Sequence, residues 1–251
     1  LLGIGEFSES DLQCSPCQPM AFQNKMDLPS SLYHPCAGKH LALLLYLKAQ
    51  GHRMDQYLLP ELVFYNDLKR LLRTLLKRSD SDDFYETVDG CGMPNFALSA
   101  FELARLYQLL ILPLPQETLQ QVPDDLRASI LLWPELYRLM TCYPELIGGQ
   151  GRLDTHLMTG DLSKEGVMMV AKEGADGLLT VGIAPTERYS SGIGLCIKVA
   201  YGYDTQVLET LITKELDVLE LQKKEDVISF KKQQLKTRFE PYHLIQQESV
   251  K

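Results

Sequence analysis

Beyond Gly148 the rhythm of the chain changes. The run GVMMVAKEGADGLLTVGI, residues 166–183, is two stretches of β-favouring residues around a Gly-Ala-Asp-Gly turn, and GIGLCIKVAYG, beginning at Gly192, is a third. Short turns between such runs predict consecutive antiparallel strands, and DTQVLETLITKELDVLEL then returns to helical spacing. A sheet with an apolar face needs helices to cover it.

The first half supplies them. CAGKHLALLLYLKAQ reads as a helix that ends near Gly51, and Leu62, Leu68, Leu72, Leu75 and Leu76 approximate one face of the next. Upstream, SESDLQ reads as a short helix before a Pro-rich loop. ALSAFELARLYQLLIL resumes the helical pattern after an acidic hinge, SDSDDF, and a strand-like YETVDGCG. Helices follow over 124–132 and 134–143, the second with a proline in its first turn, where a missing N–H is tolerated. Helices first, then a meander with a closing helix, predicts an α+β fold in which an antiparallel sheet is flanked by helices. It is read as one domain: a helical part of about 1–147, a β-rich part with its closing helix of about 148–240, and a polar tail to 251. A further strand is expected within DVISFKKQQLKTRFEPYHLI.

Charge narrows the partners. A net charge of -8 argues against an electrostatic grip on nucleic acid or an anionic membrane, which requires clustered Lys and Arg. No apolar run reaches the roughly 20 residues of a membrane span. Six cysteines in 251 residues are too few for a disulfide scaffold, so a reducing, cytoplasmic setting is expected. LLGIGEFSES has no basic region and is not a secretion signal; it reads as the start of a piece of a longer protein.

The chemistry-bearing residues are gathered in few places. Cys36, Lys39 and His40 stand at i, i+3 and i+4 at a helix start, which predicts one shared side and favours thiolate. Cys36 and His40 are two-thirds of a zinc site, with Cys91 in the Gly-flanked VDGCGMPNF as third ligand and Asp89 beside it to orient or balance the charge. Simple packing of buried thiols fits the same spacing. CSPC at 14–17 reads as a kinked loop with two incidental thiols, since no partner pair follows. In IGGQGRLDTHLM, Arg152 and Asp154 follow three glycines, either as a local ion pair in a turn or as a ligand loop, without the Lys-Ser/Thr of a P-loop. Lys172, in VAKEGADG, is either a solvent-facing lysine of an edge strand or a proton-handling amine at a cleft.

In order, CAGKHLALL, VDGCGMPNFAL, GGQGRLDTHLM, VAKEGADG and GIGLCIKVAYGYD resemble the L-asparaginase II family, the thermolabile-type asparaginases of rhizobia. The likeness runs from about Gly3 to about Leu235. It implies hydrolysis of L-asparagine to L-aspartate and ammonia on a fold similar to serine β-lactamases and glutaminases, by Ser-Lys chemistry, in a homodimer. It also implies a zinc held by Cys36, Lys39 and Cys91, so that Lys39 replaces His40 as ligand, with Asp89 as the motif's acid. Lys172 falls on the family lysine that activates or supports a serine; His40, Asp89, Arg152 and Asp154 remain its candidates for metal support or substrate binding.

Departures from the pattern are expected to bear on activity. The family's Ser-x-x-Lys segment belongs upstream of Gly3, and Ser79, Ser81 and Ser229 stand in unsuitable surroundings. His34-Pro35 replaces a polar Asn-Asn, Ala37 a serine and Asn95 a threonine. The alternative is a non-catalytic zinc-binding relative with a binding or scaffold role.

Overall fold

The computed structural model describes residues 7–18, 28–79, 81–200, 202 and 204–223. The strand expected in 226–245 and part of the Pro-rich loop lie outside them.

The architecture is α+β. Helices α1 (Ala37–Ala49) and α2 (Val63–Leu76) precede a hairpin of β1 (Glu86–Val88) and β2 (Pro94–Phe96). Then come α3 (Ala100–Leu110), α4 (Gln116–Gln121), α5 (Asp124–Leu131), α6 (Trp133–Cys142), α7 (Pro144–Ile147) and α8 (Leu153–Thr159). Strands β3 (Met169–Gly174), β4 (Leu178–Ile183) and β5 (Ile193–Lys198) form an antiparallel sheet in the order β3-β4-β5, and α9 (Thr205–Val218) closes the described chain. SESDLQ yields only a single 3-10 turn over Glu9–Asp11. On α2 only Leu72 and Leu75 of the expected leucine face are buried, with Tyr65 completing the inner side. Strand β2 escapes period-based reading because it is three residues long and opens on proline, which a sheet tolerates at a strand's first position.

The meander has a physical cause in its turns. Asp176 and Gly177 take φ values of 59° and 73°, the positive pair that matches the twist of a tight hairpin. Alternation then assigns the faces. Met169, Ala171, Leu179, Val181 and Ile183 join Leu208, Ile212 and Leu216 of α9 in the main core. Val170 and Lys172 stand on the other face, with Gly182 opposite Val170 and Gly194 opposite Gly182. Those two glycines let α3 lie directly on the sheet: a Cβ on Gly182 would stand 2.6 Å from the carbonyl oxygen of Tyr107, and one on Gly194 would overlap that of Ala104. Two further clusters complete the interior, one around α1 with Tyr57, Tyr65, Cys91 and Met93, the other joining α2, α3 and α5 through Leu75, Leu109, Leu126 and Ile130.

One ion pair ties the third cluster's entrance. Ser99 and Glu102 form a reciprocal capping box at the start of α3, and Arg78 Nε donates to Glu102 Oε1 at 2.6 Å, the two side chains being 19% and 15% exposed. The Arg78 guanidinium, with the Ser99 donors, lowers the Glu102 pKa from 4.5 to about 2 despite burial. A carboxylate depressed in this way stabilises the fold fully above the unfolded value and loses that contribution as pH falls through the folded one. In denaturant unfolding, Glu102→Gln is therefore expected to be destabilised by about 2–3 kcal/mol at pH 6, and the gap should close as the pH approaches about 2.

Candidate functional site

The start of α1 has no cap of the usual kind. Cys36 occupies the N-cap without a side-chain bond, and its own N–H donates to Nδ1 of His34 at 3.0 Å. Consecutive helical residues are about 100° apart, and this separates Lys39 from His40. His40 is fully buried, its Nδ1 sharing a 2.6 Å hydrogen bond with Tyr57 Oη. Tyr57 in turn accepts from the Gln13 N–H at 2.8 Å and receives the His40 ring edge-on. The expectation of one shared side for Cys36, Lys39 and His40 is thus corrected: Lys39 turns toward Asp89, and His40 enters the core. Burial lowers the His40 pKa, with the Lys39 charge acting in the same direction, so the ring is neutral. His40 Nε2 is buried with no hydrogen-bond partner among the described residues.

Asp89 gathers the rest. Its Oδ2 accepts from Lys39 Nζ at 2.6 Å, and its Oδ1 accepts from the Cys91 thiol at 2.7 Å and from the Cys91 and Met93 N–H groups at 3.1 and 3.3 Å. Gly92, at φ 85°, makes the turn that folds Cys91 back over this carboxylate. Burial opposes the Asp89 charge, but the Cys91 and Lys39 donors outweigh it and hold the carboxyl below its ordinary range. Burial, then Asp89, pushes the Cys91 thiol up. For Lys39, burial pulls down while Asp89, Cys91 and Cys36 pull up more strongly, so the amine keeps its proton. One thiol and one amine meet on this carboxylate, and the Cys36 thiol at the start of α1 would be the further donor of a set that suits zinc once the protons leave. Among the described residues no three His, Cys, Asp or Glu side chains are grouped for a metal; a site here depends on Lys39 as a ligand. All six cysteines are free.

The second group is built on β3. Lys172 lies on β3, at the edge of the sheet formed by the described residues, and its amine is tied to Oδ2 of Asp154, whose side chain is wholly buried. The same oxygen accepts the Glu173 N–H at 3.0 Å. Arg152 Nη2 meets Glu173 Oε2 at 2.5 Å, and Glu173 Oε1 accepts the Leu153 N–H at 3.0 Å. Arg152 and Asp154 therefore do not pair locally with each other. Each reaches across to β3 instead. Gly148 explains part of the glycine run: a Cβ there would overlap the Asp154 carboxylate and the Thr155 hydroxyl. Thr155 fixes this loop by donating to the Gly149 carbonyl at 2.7 Å.

Two members of this group have no counterpart among the sequence candidates. Glu173 was hidden beside Lys172, although an acid on the inner side of a strand is a signal in itself. Tyr107, from α3, has its pKa raised to about 12 by burial, then by the Asp154 and Cys196 charges, so it stays a phenol. Lys39, Asp89 and Cys91 bond to one another and not to Lys172 or Asp154. The sequence candidates thus form two constellations, one in the α1 cluster and one at the sheet.

A lysine ammonium carries three donors, and Asp154 occupies one. With 41% of its side chain exposed, Lys172 can present the others to a molecule at the surface. Among the described residues no helix is long and apolar enough to cross a membrane. Compared with known families, residues 1–244 match the sequence model of the L-asparaginase II family. No curated protein matches the chain.

Proposed function

Because the chain belongs to the L-asparaginase II family, we propose that it serves hydrolysis of the side-chain amide of L-asparagine, giving L-aspartate and ammonia, on a serine β-lactamase-like fold in a cytoplasmic homodimer. The observation that carries this reading is the exposed Lys172 amine on β3 fastened to a fully buried carboxylate. A reacting group needs that kind of fixed support.

The roles follow from the donors. Lys172 uses its remaining N–H groups to orient the attacking oxygen and to steady the charge that develops as the oxygen adds to the amide carbon. The amide nitrogen leaves with a proton as ammonia, and water supplies the oxygen retained in aspartate. Asp154 positions Lys172, and Arg152, braced by buried Glu173, binds the substrate's α-carboxylate. The attacking oxygen is supplied by a group outside Lys172's partners among the described residues.

Cys36, Lys39 and Cys91 would hold the family's zinc, with Asp89 supporting them and His40 behind in the core. When bound, the metal would cross-link the start of α1 to the β1–β2 turn, its two positive charges offset by the protons that the ligands give up. Elemental analysis is expected to find one zinc per chain, and Cys91→Ser should lower that content about tenfold or more at limiting metal. A non-catalytic zinc-binding role is the second reading, favoured by the pairing of Lys172 with Asp154 and not with a serine among the described residues. Ammonia release with a panel of asparagine, glutamine and a β-lactam separates the readings: the scaffold releases none, and preference for the β-lactam would replace asparagine as substrate.

A further inference from the structure

The C-terminal half of α2, the two residues after it and the turn between α4 and α5 line an open pocket of about 360 Å³ whose charged lining is entirely cationic. Arg70, Arg73, Lys77 and Arg78 face it, with Thr74 and Gln121 as neutral polar groups. In a chain of net charge -8 such a lining needs a local explanation. The volume lies within the roughly 300–1,000 Å³ of small-molecule sites.

Two of the four cations are committed to the walls. Arg70 pairs with Asp125 at 2.7 and 3.1 Å and with Asp67 at 2.9 Å, strapping α2 to the first turn of α5. Arg78 is held by Glu102 and lies 4.4 Å from the centre of the Phe84 ring. The other two have donors to give. Arg73 touches the Asp82 carbonyl at 3.2 Å and the almost fully exposed Asp83 at 3.5 Å, while its Nε is buried with no hydrogen-bond partner among the described residues. Lys77 is exposed and bonds through its side chain to none of the described residues.

Lys77 also stands where the backbone asks for something else. It caps α2 in the left-handed region, at φ 53°, a position that glycine ordinarily fills. A lysine at this strained position gives the pocket an exposed ammonium. The helix end offers an anion only carbonyl oxygens, so any attraction must come from these side chains. The adjoining cavity of about 430 Å³ shares Arg70 and Arg73 but includes Asp83 and Glu86, and its Lys69 is paired with Glu86 at 2.8 Å. Its lining is of mixed sign.

We propose that the α2/α4–α5 cavity binds the phosphate group of a small phosphorylated ligand, with Lys77 and Arg73 as its donors. A phosphate fits better than a carboxylate because it brings up to two negative charges and a further acceptor oxygen to two cationic donors.

Calorimetric titration of the full chain at constant ionic strength tests this, with inorganic phosphate, AMP and adenosine as probes. Phosphate and AMP are expected to bind and adenosine not to; tighter binding of AMP than of phosphate identifies a phosphate ester as the ligand, and equal binding identifies free phosphate. Lys77→Gly should raise the melting temperature by relieving the cap, yet weaken phosphate binding about tenfold or more, and Arg73→Gln should weaken it similarly. No heat from phosphate or AMP up to about 10 mM, or unchanged affinity in Lys77→Gly, overturns the assignment.

Discussion

Alanine at Gly194 is expected to destabilise the protein by more than about 3 kcal/mol, a large share of the roughly 5–15 kcal/mol that holds a domain together. The added methyl would overlap the carbonyl oxygen of Ala104, which belongs to helix backbone and cannot swing aside. Since Gly182 stands opposite Gly194 in the register, the pair forms the shallow track on which α3 rests. Lifting α3 also moves Tyr107 away from Asp154, so the damage reaches the Lys172 face. Gly38→Ala is the control: nothing stands within 4 Å of that Cβ, and alanine inside a helix should stabilise by about 0.5–1 kcal/mol. Denaturant midpoints of the two variants should therefore move in opposite directions.

Lys172→Ala is expected to reduce asparagine hydrolysis about 10³-fold, mainly in kcat, because the lost donors act on the developing charge more than on substrate binding. Its stability should fall by about 2–3 kcal/mol as well, since Asp154 is left wholly buried with backbone N–H groups as its remaining donors. Asp154→Asn separates the two effects. It keeps an acceptor for the Glu173 N–H but gives up the charge that anchors the amine, so activity should drop further than melting temperature. Lys172→Arg is not expected to restore turnover, because a planar guanidinium presents its donors in a different geometry from a point-like ammonium.

Much of the fold was legible because its runs are plain. The stretches from Met169 to Lys198 are rich in β-favouring residues around a glycine-bounded turn, α1 is a long, almost wholly apolar run, and α3 and α9 are long enough for a 3.6-residue repeat to declare itself. Helix α8 was not, because seven residues beginning Leu-Asp-Thr beside three glycines look like a loop. The short helices α4 and α7 escape for the same reason of length.

At the site, residue types were legible and partnerships were not. The union of Asp154 with Lys172 spans 18 positions and depends on α8 lying along β3, which no local pattern encodes. Arg152 finds Glu173 by the same packing. At the start of α1, i, i+4 spacing favoured His40 beside Cys36, but the apolar surroundings of Tyr57 drew the ring inward. Lys39, one residue earlier, was left to meet Asp89. The glycine before Asp154 carried information of another kind: Gly148 is small because a carboxylate passes against it.

The most direct test of the proposed chemistry is ammonia release from L-asparagine by the protein isolated from its own cells. Release matched mole for mole by aspartate, and abolished by Lys172→Ala, is the expected result. Absence of release, or release indifferent to that substitution, contradicts it.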